Sequence, residues 1–335
     1  MDFYDAAVVG GGPAGLMAAR KIAEKGFQVA LFEKGPDVGV KVCGEACSEA
    51  TIRDAEIPGE KSFLLNRITK VHIYPPDESK RIEIAREIES IGAGYIVDKK
   101  SFLKSLASEA ERKGARLFFQ SEVADLERAA DRVTVKVNTM GRRLEVSSKI
   151  LLGCDGFNSL VRRRLFNPQG VELISCIQYT MTGYRTPDEH VTDFFFGRSV
   201  APLGYLWLFP KGGGVANVGV GVRGAPAKDY LDRFISRHGE RFSEAKIQAV
   251  GGAPVIVSGQ VDKIVSDRVL LCGESAGQVI PFTGAGIHTG LVSGKIAAQA
   301  AAEALEAGDF SERQLSSYAE GFNRAYGERI RKSLK

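Results

Sequence analysis

The chain has 335 residues and a small net charge of +4 without a clustered basic stripe, so no nucleic-acid partner is expected. No apolar run has the length of a membrane span, and the N-terminus lacks the basic region of a signal peptide. A hydrophobic fraction of 44% is ordinary for a globular protein, and five scattered cysteines favour a reducing compartment. We therefore expect a cytoplasmic protein, with peripheral membrane contact left open.

The first thirty-five residues follow a strand–helix–strand pattern. Residues 6–9 are apolar with β-branched side chains, typical of a buried parallel strand. Residues 16–25 carry small and aliphatic side chains at helical spacing, and residues 28–32 form a second apolar strand that ends at Glu33. The pattern predicts one βαβ-type unit at the N-terminus.

The sequence GGGPAG lies between the first strand and the helix and places Gly10, Gly12 and Gly15 in G-x-G-x-x-G register. Gly10 permits a tight turn, Gly12 allows the backbone to approach a pyrophosphate, and Gly15 lets helix and strand pack closely. Glu33 follows at the distance from which a carboxylate accepts hydrogen bonds from a ribose. We therefore predict a bound dinucleotide, which this unit alone does not identify as FAD or NAD.

Residues 41–50, KVCGEACSEA, place two cysteines four positions apart. A metal site is not expected, because the chain has no C-x-x-C repeat and only four histidines. A disulfide between Cys43 and Cys47 is not expected in a reducing compartment. Residues 46–54 are predicted to be helical, and Cys47 is predicted to be a small buried side chain there.

Two later strand ends carry acidic residues. Residues 149–154 predict a strand that ends at Asp155 and Gly156, and residues 269–272 predict another that ends at Gly273 and Glu274. An acid after a strand can hold a ribityl or ribose hydroxyl. At Asp155 and Gly156 the alternative is a strand–turn–helix with ordinary turn chemistry.

A long helix is predicted from the glycine-rich residues Gly284 and Gly286 to about Leu305. Its first turn offers free N–H groups and the positive end of the helix dipole. That environment suits the negatively charged pyrimidine side of a reduced flavin, although a glycine-rich helix start that is merely packed explains it equally well.

Residues 205–209 alternate aromatic and aliphatic side chains, so a strand would point Tyr205, Trp207 and Phe209 to one face. Residues 215–222 predict the partner strand across a glycine-rich turn. An aromatic face of this kind is most often core packing.

Taken in order, the glycine motif, Asp155-Gly156 and Gly273-Glu274 resemble the FAD-binding core of the p-hydroxybenzoate hydroxylase superfamily. K-x-C-G-E together with Y-x-W-x-F-P-K further resembles the geranylgeranyl reductase family, particularly its archaeal members, over residues 4–330. The resemblance implies an α/β (α+β) fold in which a Rossmann-like FAD-binding domain is interleaved with a sheet-rich substrate domain. Two positions depart from the usual pattern: Glu274 replaces aspartate, and Lys99 replaces arginine.

The resemblance also implies an activity, the saturation of carbon–carbon double bonds in prenyl chains of lipid precursors or quinones. Cys43 would lie near the flavin, either Cys43 or a nearby water would relay a proton, and Tyr205, Trp207 and Phe209 would form the catalytic aromatic surface. The remaining implied residues bind the cofactor. They are Gly10, Gly12, Ala14, Gly15, Glu33, Lys34, Cys43, Gly44, Lys99, Val123, Asp155, Gly273, Glu274, Gly284, Gly286 and Ile287.

The predicted domains are interleaved. The FAD-binding domain comprises residues 1–65, 98–165 and 262–310, the substrate-binding domain 66–97 and 166–261, and a C-terminal helix 311–335. Apolar residues at helical spacing in that helix predict packing on the FAD domain, with contact at an anionic membrane as the alternative.

Several functions remain compatible with the sequence. The main hypothesis is an FAD-dependent prenyl reductase; the alternatives are a monooxygenase of the same fold, an electron carrier to quinones, and a prenyl-lipid-binding protein with a structural FAD. No second dinucleotide unit is evident, so ferredoxin, a deazaflavin and NAD(P)H all remain candidate electron donors.

Overall fold

The computed structural model describes residues 2–85, 94–166 and 170–334. The strands are β1 (Asp2–Val9), β2 (Val29–Phe32), β3 (Ala46–Ser48), β4 (Leu64–Ile68), β5 (Lys70–Tyr74), β6 (Ile82–Ala85), β7 (Gly94–Val97), β8 (Arg116–Phe118), β9 (Ser121–Arg128), β10 (Val133–Thr139), β11 (Arg142–Gly153), β12 (Leu173–Thr182), β13 (Val191–Phe196), β14 (Tyr205–Gly212), β15 (Val215–Val222), β16 (Lys246–Ile256), β17 (Val265–Ser266) and β18 (Val269–Leu271). The helices are α1 (Pro13–Glu24), α2 (Glu49–Asp54), α3 (Lys99–Arg112), α4 (Leu160–Leu165), α5 (Ala227–Arg237), α6 (Gly239–Phe242), α7 (Ile287–Ala307), α8 (Glu312–Phe322) and α9 (Glu328–Ser333).

An eight-stranded sheet carries the N-terminal unit, with strands in the order β17-β18-β11-β1-β2-β8. The pairings from β18 to β8 are parallel, and β9 and β10 extend β11 as an antiparallel meander. Residues 6–8 of β1 have no exposed surface, as expected for a parallel strand covered on both faces. The central position of β1 brings the loops after β1, β2, β11 and β18 to one edge.

Helices α1 and α7 pack closely against each other over this sheet. A β-carbon at Gly294 of α7 would lie 2.2 Å from the carbonyl oxygen of Ala14, so only glycine permits this approach. Helix α1 begins at Pro13, earlier than the predicted Leu16, because proline is well suited to the first helical position, where no N–H partner is needed.

A seven-stranded sheet has the order β16-β12-β15-β14-β13-β5-β6. One of its faces packs aliphatic residues such as Leu206, Leu208 and Val220 against Leu231 and Phe234 of α5. The opposite face carries Tyr205, Trp207 and Phe209, because side chains alternate along β14.

A third sheet of three strands, β3-β7-β4, corrects one prediction. Residues 46–54 are not one helix: Ala46–Ser48 pair with β7, and α2 begins only at Glu49. The oxygen of Ser48 accepts a hydrogen bond from the N–H of Thr51, so Ser48 is the N-cap and ends the strand. Cys47 is buried as predicted, but in a strand.

The two larger sheets draw their strands from separated parts of the chain. The seven-stranded sheet uses residues 70–85 and 173–256, while the eight-stranded sheet uses 2–32, 116–153 and 265–271. The predicted domain segments also include residues 1, 86–93, 167–169 and 335, which lie outside the described residues. The domain boundaries stay a prediction.

The C-terminal segment consists of α8, a π-helical turn over Asn323–Gly327, and α9. Its apolar side is buried, and the hydroxyl of Tyr318 donates to the carbonyl of Leu271 at 2.7 Å. The predicted packing of this segment is therefore present, against the eight-stranded sheet. Within the described ranges, no helix is both long and apolar enough to cross a membrane.

Candidate cofactor and substrate site

The glycines of the first loop have different surroundings. A β-carbon at Gly10, where φ is +104°, would lie 2.3 Å from the carbonyl oxygen of Cys154, and one at Gly15 would lie 2.0 Å from that of Gly10. A β-carbon at Gly12 would meet nothing within 4 Å. Gly10 and Gly15 therefore allow close backbone packing, whereas Gly12 leaves open space beside the start of α1.

The N-terminus of α1 can receive an anion. Gly12 is its N-cap and provides no side-chain hydrogen bond, so the first N–H groups have no such partner. The two carboxylate oxygens of Glu33 accept hydrogen bonds from the N–H groups of Gly11 and Gly35, each at 2.7 Å. The carboxylate is thus fixed beside the loop with lone pairs left for a ribose. The loop from Gly10 to Gly15, the start of α1 and Glu33 form the nucleotide cradle, and these residues fit a dinucleotide.

Asp155 makes the protein contacts of the turn after β11, and its cofactor contact stays a prediction. Its carboxylate accepts from the hydroxyl of Ser159 at 2.5 Å and from the N–H groups of Leu160 and Val161 at 2.7 and 3.1 Å. Desolvation by burial raises the pKa of this carboxyl, while those hydrogen bonds oppose the rise. The side chain holds the start of α4 and shapes the turn at Gly156.

Glu274 is joined to the segment that contains Cys43. Its carboxylate pairs with the ammonium of Lys41 at 2.6 Å, and Lys41 also lies 5.5 Å from the ring centroid of Phe157. The preceding Gly273 adopts φ +68° and approaches Ala14 of α1 closely. Three loops therefore meet here, although they are far apart in the sequence.

The start of α7 contains unsatisfied polar groups. Gly286 is the N-cap and makes no side-chain capping bond. The hydroxyl of Thr289 is buried, its residue being 2% exposed, and has no hydrogen-bond partner among the described residues. Because buried polar groups in native proteins are normally paired, a polar ligand is expected at this helix end.

The aromatic wall, formed by Tyr205, Trp207 and Phe209, lies over a strand with small side chains. Cross-strand register places Gly221, Gly219 and Asn217 of β15 opposite the three wall residues. A β-carbon at Gly219 would lie 2.2 Å from Cζ2 of Trp207, so the indole lies directly over that glycine.

The cysteine loop, residues 41–45, lies against the aromatic wall. A β-carbon at Gly44 would lie 2.8 Å from Cε2 of Phe209 and 3.5 Å from Nε1 of Trp207. Cys43 is half-buried, and its sulfur accepts a hydrogen bond from the N–H of Glu45 at 3.3 Å. The structure therefore brings the predicted cysteine and the predicted aromatic face together.

Glu45 fixes this loop to two other elements. Its Oε2 accepts from the side chain of Lys211 and from Nδ2 of Asn217, the latter at 2.7 Å. Its Oε1 accepts from the N–H of Lys99 at 3.1 Å, and the ammonium of Lys99 donates to the carbonyl of Lys41. Lys99 is thus a buried support of the cysteine loop.

The other predicted cofactor residues lie on several elements. Ala14 is buried in α1, Ile287 is the first residue of α7, Val123 is buried on β9, and Lys34 is exposed after Glu33.

Sequence reasoning missed several side chains of the site. Asn217 is fully buried and holds the cysteine loop, and Gln178 accepts from Nε1 of Trp207 at 3.2 Å. Cys176 lies across Gly221 from Tyr205 in the strand register. Burial raises the pKa of its thiol to about 11, with Lys41 acting in the opposite direction. Only the pairing of β12 with β15 would have revealed Gln178 and Cys176.

Comparisons with known proteins agree with this geometry. The FAD binding domain model matches residues 4–177, and the geranylgeranyl reductase catalytic domain model matches residues 172–255. These matches confirm the predicted cofactor, FAD. The nucleotide cradle and the start of α7 provide groups suited to hold it.

Relatives match over almost the whole chain. A digeranylgeranylglycerophospholipid reductase from Thermoplasma acidophilum is 35% identical over 95% of this chain and 83% of its own length. The solved structure of a geranylgeranyl bacteriochlorophyll reductase-like protein from Thermoplasma acidophilum superimposes with a TM-score of 0.93 at 32% identity, over 100% of this chain and 86% of that one. A myxobacterial FAD-dependent halogenase for chondrochloren, at 20% identity, matches in fold with a TM-score of 0.81 over 99% of this chain and 82% of its own.

The predicted family and the predicted α/β fold are both confirmed by these matches. The chain belongs to the geranylgeranyl reductase family of FAD-dependent oxidoreductases.

Proposed function

We propose that this chain saturates carbon–carbon double bonds in the geranylgeranyl chains of a glycerophospholipid precursor. The observation that carries the proposal is the contact of the cysteine loop with the aromatic wall, next to the nucleotide cradle. This contact supports a site in which an apolar chain lies beside a redox cofactor. The names of the relatives supply the class of lipid.

An isolated prenyl double bond is not an electrophile, so its reduction requires a proton at one carbon and a hydride at the other. Reduced FAD supplies the hydride when it is bound. The aromatic wall provides ring faces that stabilise positive charge developing on the alkene, and its apolar surroundings exclude water. The role of the aromatic wall is to position the prenyl chain and to favour the protonated transition state.

In this proposal a thiol delivers the proton to the alkene. Cys43 lies on the cysteine loop and is the proposed proton relay. Burial raises the pKa of both the neighbouring Cys176 thiol and the Tyr205 phenol, so these groups retain their protons at neutral pH. A neutral thiol can donate a proton, whereas a thiolate would act as a nucleophile.

Two variants test these roles. Cys43→Ala should retain FAD and lose at least about tenfold in turnover, the lower range for a general acid. Trp207→Ala should also retain FAD and lose turnover, because an aromatic face is removed. Turnover at the wild-type rate in either variant would exclude that residue from the chemistry.

Mass spectrometry tests the activity itself. Protein reduced with dithionite is incubated with an unsaturated digeranylgeranyl glycerophospholipid, and the recovered lipid should gain mass in steps of two hydrogens. Unchanged lipid mass, with FAD bound and reduced, would contradict the proposal.

The electron donor and the membrane contact are also part of the proposal. A small carrier such as ferredoxin, a deazaflavin or NAD(P)H would reduce the flavin. Since the apolar side of the C-terminal segment is buried, peripheral membrane contact would use its exposed cations, among them Arg324, Arg329 and Arg331. Co-sedimentation with anionic liposomes should then occur at low salt and be lost at high salt; no binding at either would exclude this contact.

A further inference from the structure

An apolar cleft, the outer cleft, lies on the seven-stranded sheet beyond the aromatic wall. It has a volume of about 580 Å³ and its apolar lining includes Ile73, Ile82, Phe196 and Phe282. Ile82 and Phe282 are each 63% exposed, which is high for large apolar side chains. Exposed apolar side chains grouped around a cleft are typical of a binding surface.

The outer cleft is continuous with the aromatic wall along the sheet. Strand register places Trp207 opposite Phe194, Phe194 beside Ile73, and Ile73 opposite Ile82. Side chains at paired positions point to the same face, so this row carries the apolar surface from β14 to the edge strand β6.

Aromatic rings provide a second connection. The ring of Phe196 lies 5.7 Å from that of Tyr205 and stacks at 5.7 Å on that of Phe282. The hydroxyl of Tyr205 donates to the carbonyl of Thr283 at 2.5 Å, which fixes the loop that carries Phe282. The outer cleft and the aromatic wall therefore lie on the same face of the seven-stranded sheet and are joined by apolar side chains.

Two cations also line the outer cleft, Lys80 and Arg81. Lys80 makes no ion pair with any described residue, and the guanidinium of Arg81 lies 3.9 Å from Glu83 in an exposed pair. Exposed pairs of this kind contribute little, so both cations are available to an anionic partner. An apolar lining with cations beside it is complementary to a hydrocarbon chain attached to a phosphate.

We infer that the outer cleft binds the phosphate-bearing end of the prenyl lipid, with Lys80 and Arg81 pairing with the phosphate while the chain extends along the sheet face to the aromatic wall. This inference rests on the proposed function for the identity of the chain. It adds the position and the charge of the head group. The same two cations would distinguish a phosphorylated lipid from an uncharged one.

Titration calorimetry on the FAD-loaded protein tests the inference without requiring turnover. The probes are digeranylgeranylglyceryl phosphate and uncharged digeranylgeranylglycerol in the same detergent. The double variant K80E/R81E should bind the phosphate about tenfold more weakly and the alcohol unchanged, because two charge-assisted pairs become repulsive. The control R142E/R143E makes the same charge change at exposed residues of β11 and should bind both probes as the wild type does.

The apolar lining of the outer cleft is tested separately. Ile82→Ser should weaken both probes by a similar factor, whereas Leu144→Ser, at an exposed position of β11, should weaken neither. Inorganic phosphate should not displace the lipid at equal concentration, because the hydrocarbon supplies most of the affinity.

Wild-type affinity of K80E/R81E for the phosphate probe would overturn the inference, and so would an equal loss for both probes. If K80E/R81E gives either of these results and the wild type still reduces the lipid, the inference fails and the proposed activity stands. If instead the wild type reduces no alkene while the charge-dependent binding is present, the proposed function fails and the binding site stands.

Discussion

At the scale of single residues, the glycines of the nucleotide cradle separate folding from cofactor binding. Gly10 and Gly15 are required by the protein itself, because a β-carbon at either position would overlap a backbone oxygen. Gly12 has φ −80° and ψ −179°, a conformation open to any residue, and open space beside it. Its glycine is therefore explained by the ligand.

We predict that Gly12→Ala folds normally but binds FAD at least about tenfold more weakly, because the methyl group occupies space used by the pyrophosphate. The apoprotein should be as stable as wild type or more stable by about 0.5 kcal/mol, since alanine restricts the unfolded chain. Thermal unfolding of apoprotein and FAD titration measure the two effects. Gly239→Ala, also without a neighbour within 4 Å, is the control; equal FAD affinity in both variants would refute the prediction.

Cys176 provides a prediction about protonation. Burial raises the pKa of its thiol to about 11, so the reactive thiolate is scarce at pH 8 and becomes abundant only as pH approaches that value. Alkylation of Cys176 by iodoacetamide, followed by peptide mass spectrometry, should therefore accelerate steadily between pH 8 and about 11. A rate that reaches its plateau near pH 8 would contradict this assignment.

The residues found from sequence were those in local motifs. Gly12, Glu33 and Trp207 carry their significance in short-range spacing and alternation. Gln178 and Asn217 do not, since Gln178 reaches Trp207 through cross-strand register and Asn217 reaches Gly44 of the cysteine loop, far away in the sequence. Pairing between distant strands depends on the whole sheet, which local patterns do not specify.

At the scale of elements, the cysteine loop depends on Glu45 for its position. The carboxylate contacts Lys211 and Asn217 of the wall sheet and the first residue of α3. The side chains of Glu45 and Lys211 are only 15% and 16% exposed, so this ion pair is shielded from water more than a surface pair.

We predict that Glu45→Gln lowers the free energy of unfolding by about 2 kcal/mol, because Lys211 loses its counter-charge in a partly buried position. Urea denaturation of the FAD-loaded protein measures the change. Adding Lys211→Met should recover part of the loss by removing the unpaired ammonium. Glu49→Gln is the control, because among the described residues its carboxylate makes only an exposed pair with Arg67 at 3.7 Å, and it should change stability little. Losses of equal size at both positions would contradict the role of Glu45.

Element boundaries were less predictable than element types. The sequence predicted the strands around residues 6–9, 28–32 and 149–154 and the long helix before residue 305, all of which the structure contains. The helix predicted over 46–54 was wrong in its first three residues. Pairing with β7, an element nearly fifty residues away, overrides the local helical preference there.

At the scale of the whole molecule, the site exists only because separated segments meet. The nucleotide cradle comes from the eight-stranded sheet, the aromatic wall from the seven-stranded sheet, and the cysteine loop lies between them. Composition cannot indicate such an arrangement, since both sheets have ordinary sequences. The arrangement was predicted from the combination of motifs that the family shares, and the family matches support that prediction.

The most direct test of the account is anaerobic oxidation of the reduced flavin by the lipid. FAD-loaded protein is reduced without excess reductant, mixed with digeranylgeranyl glycerophospholipid in the absence of oxygen, and followed by flavin absorbance. We predict that oxidised flavin returns on mixing, with one double bond lost for each flavin oxidised. A flavin that stays reduced until oxygen is admitted would contradict the account and favour a monooxygenase.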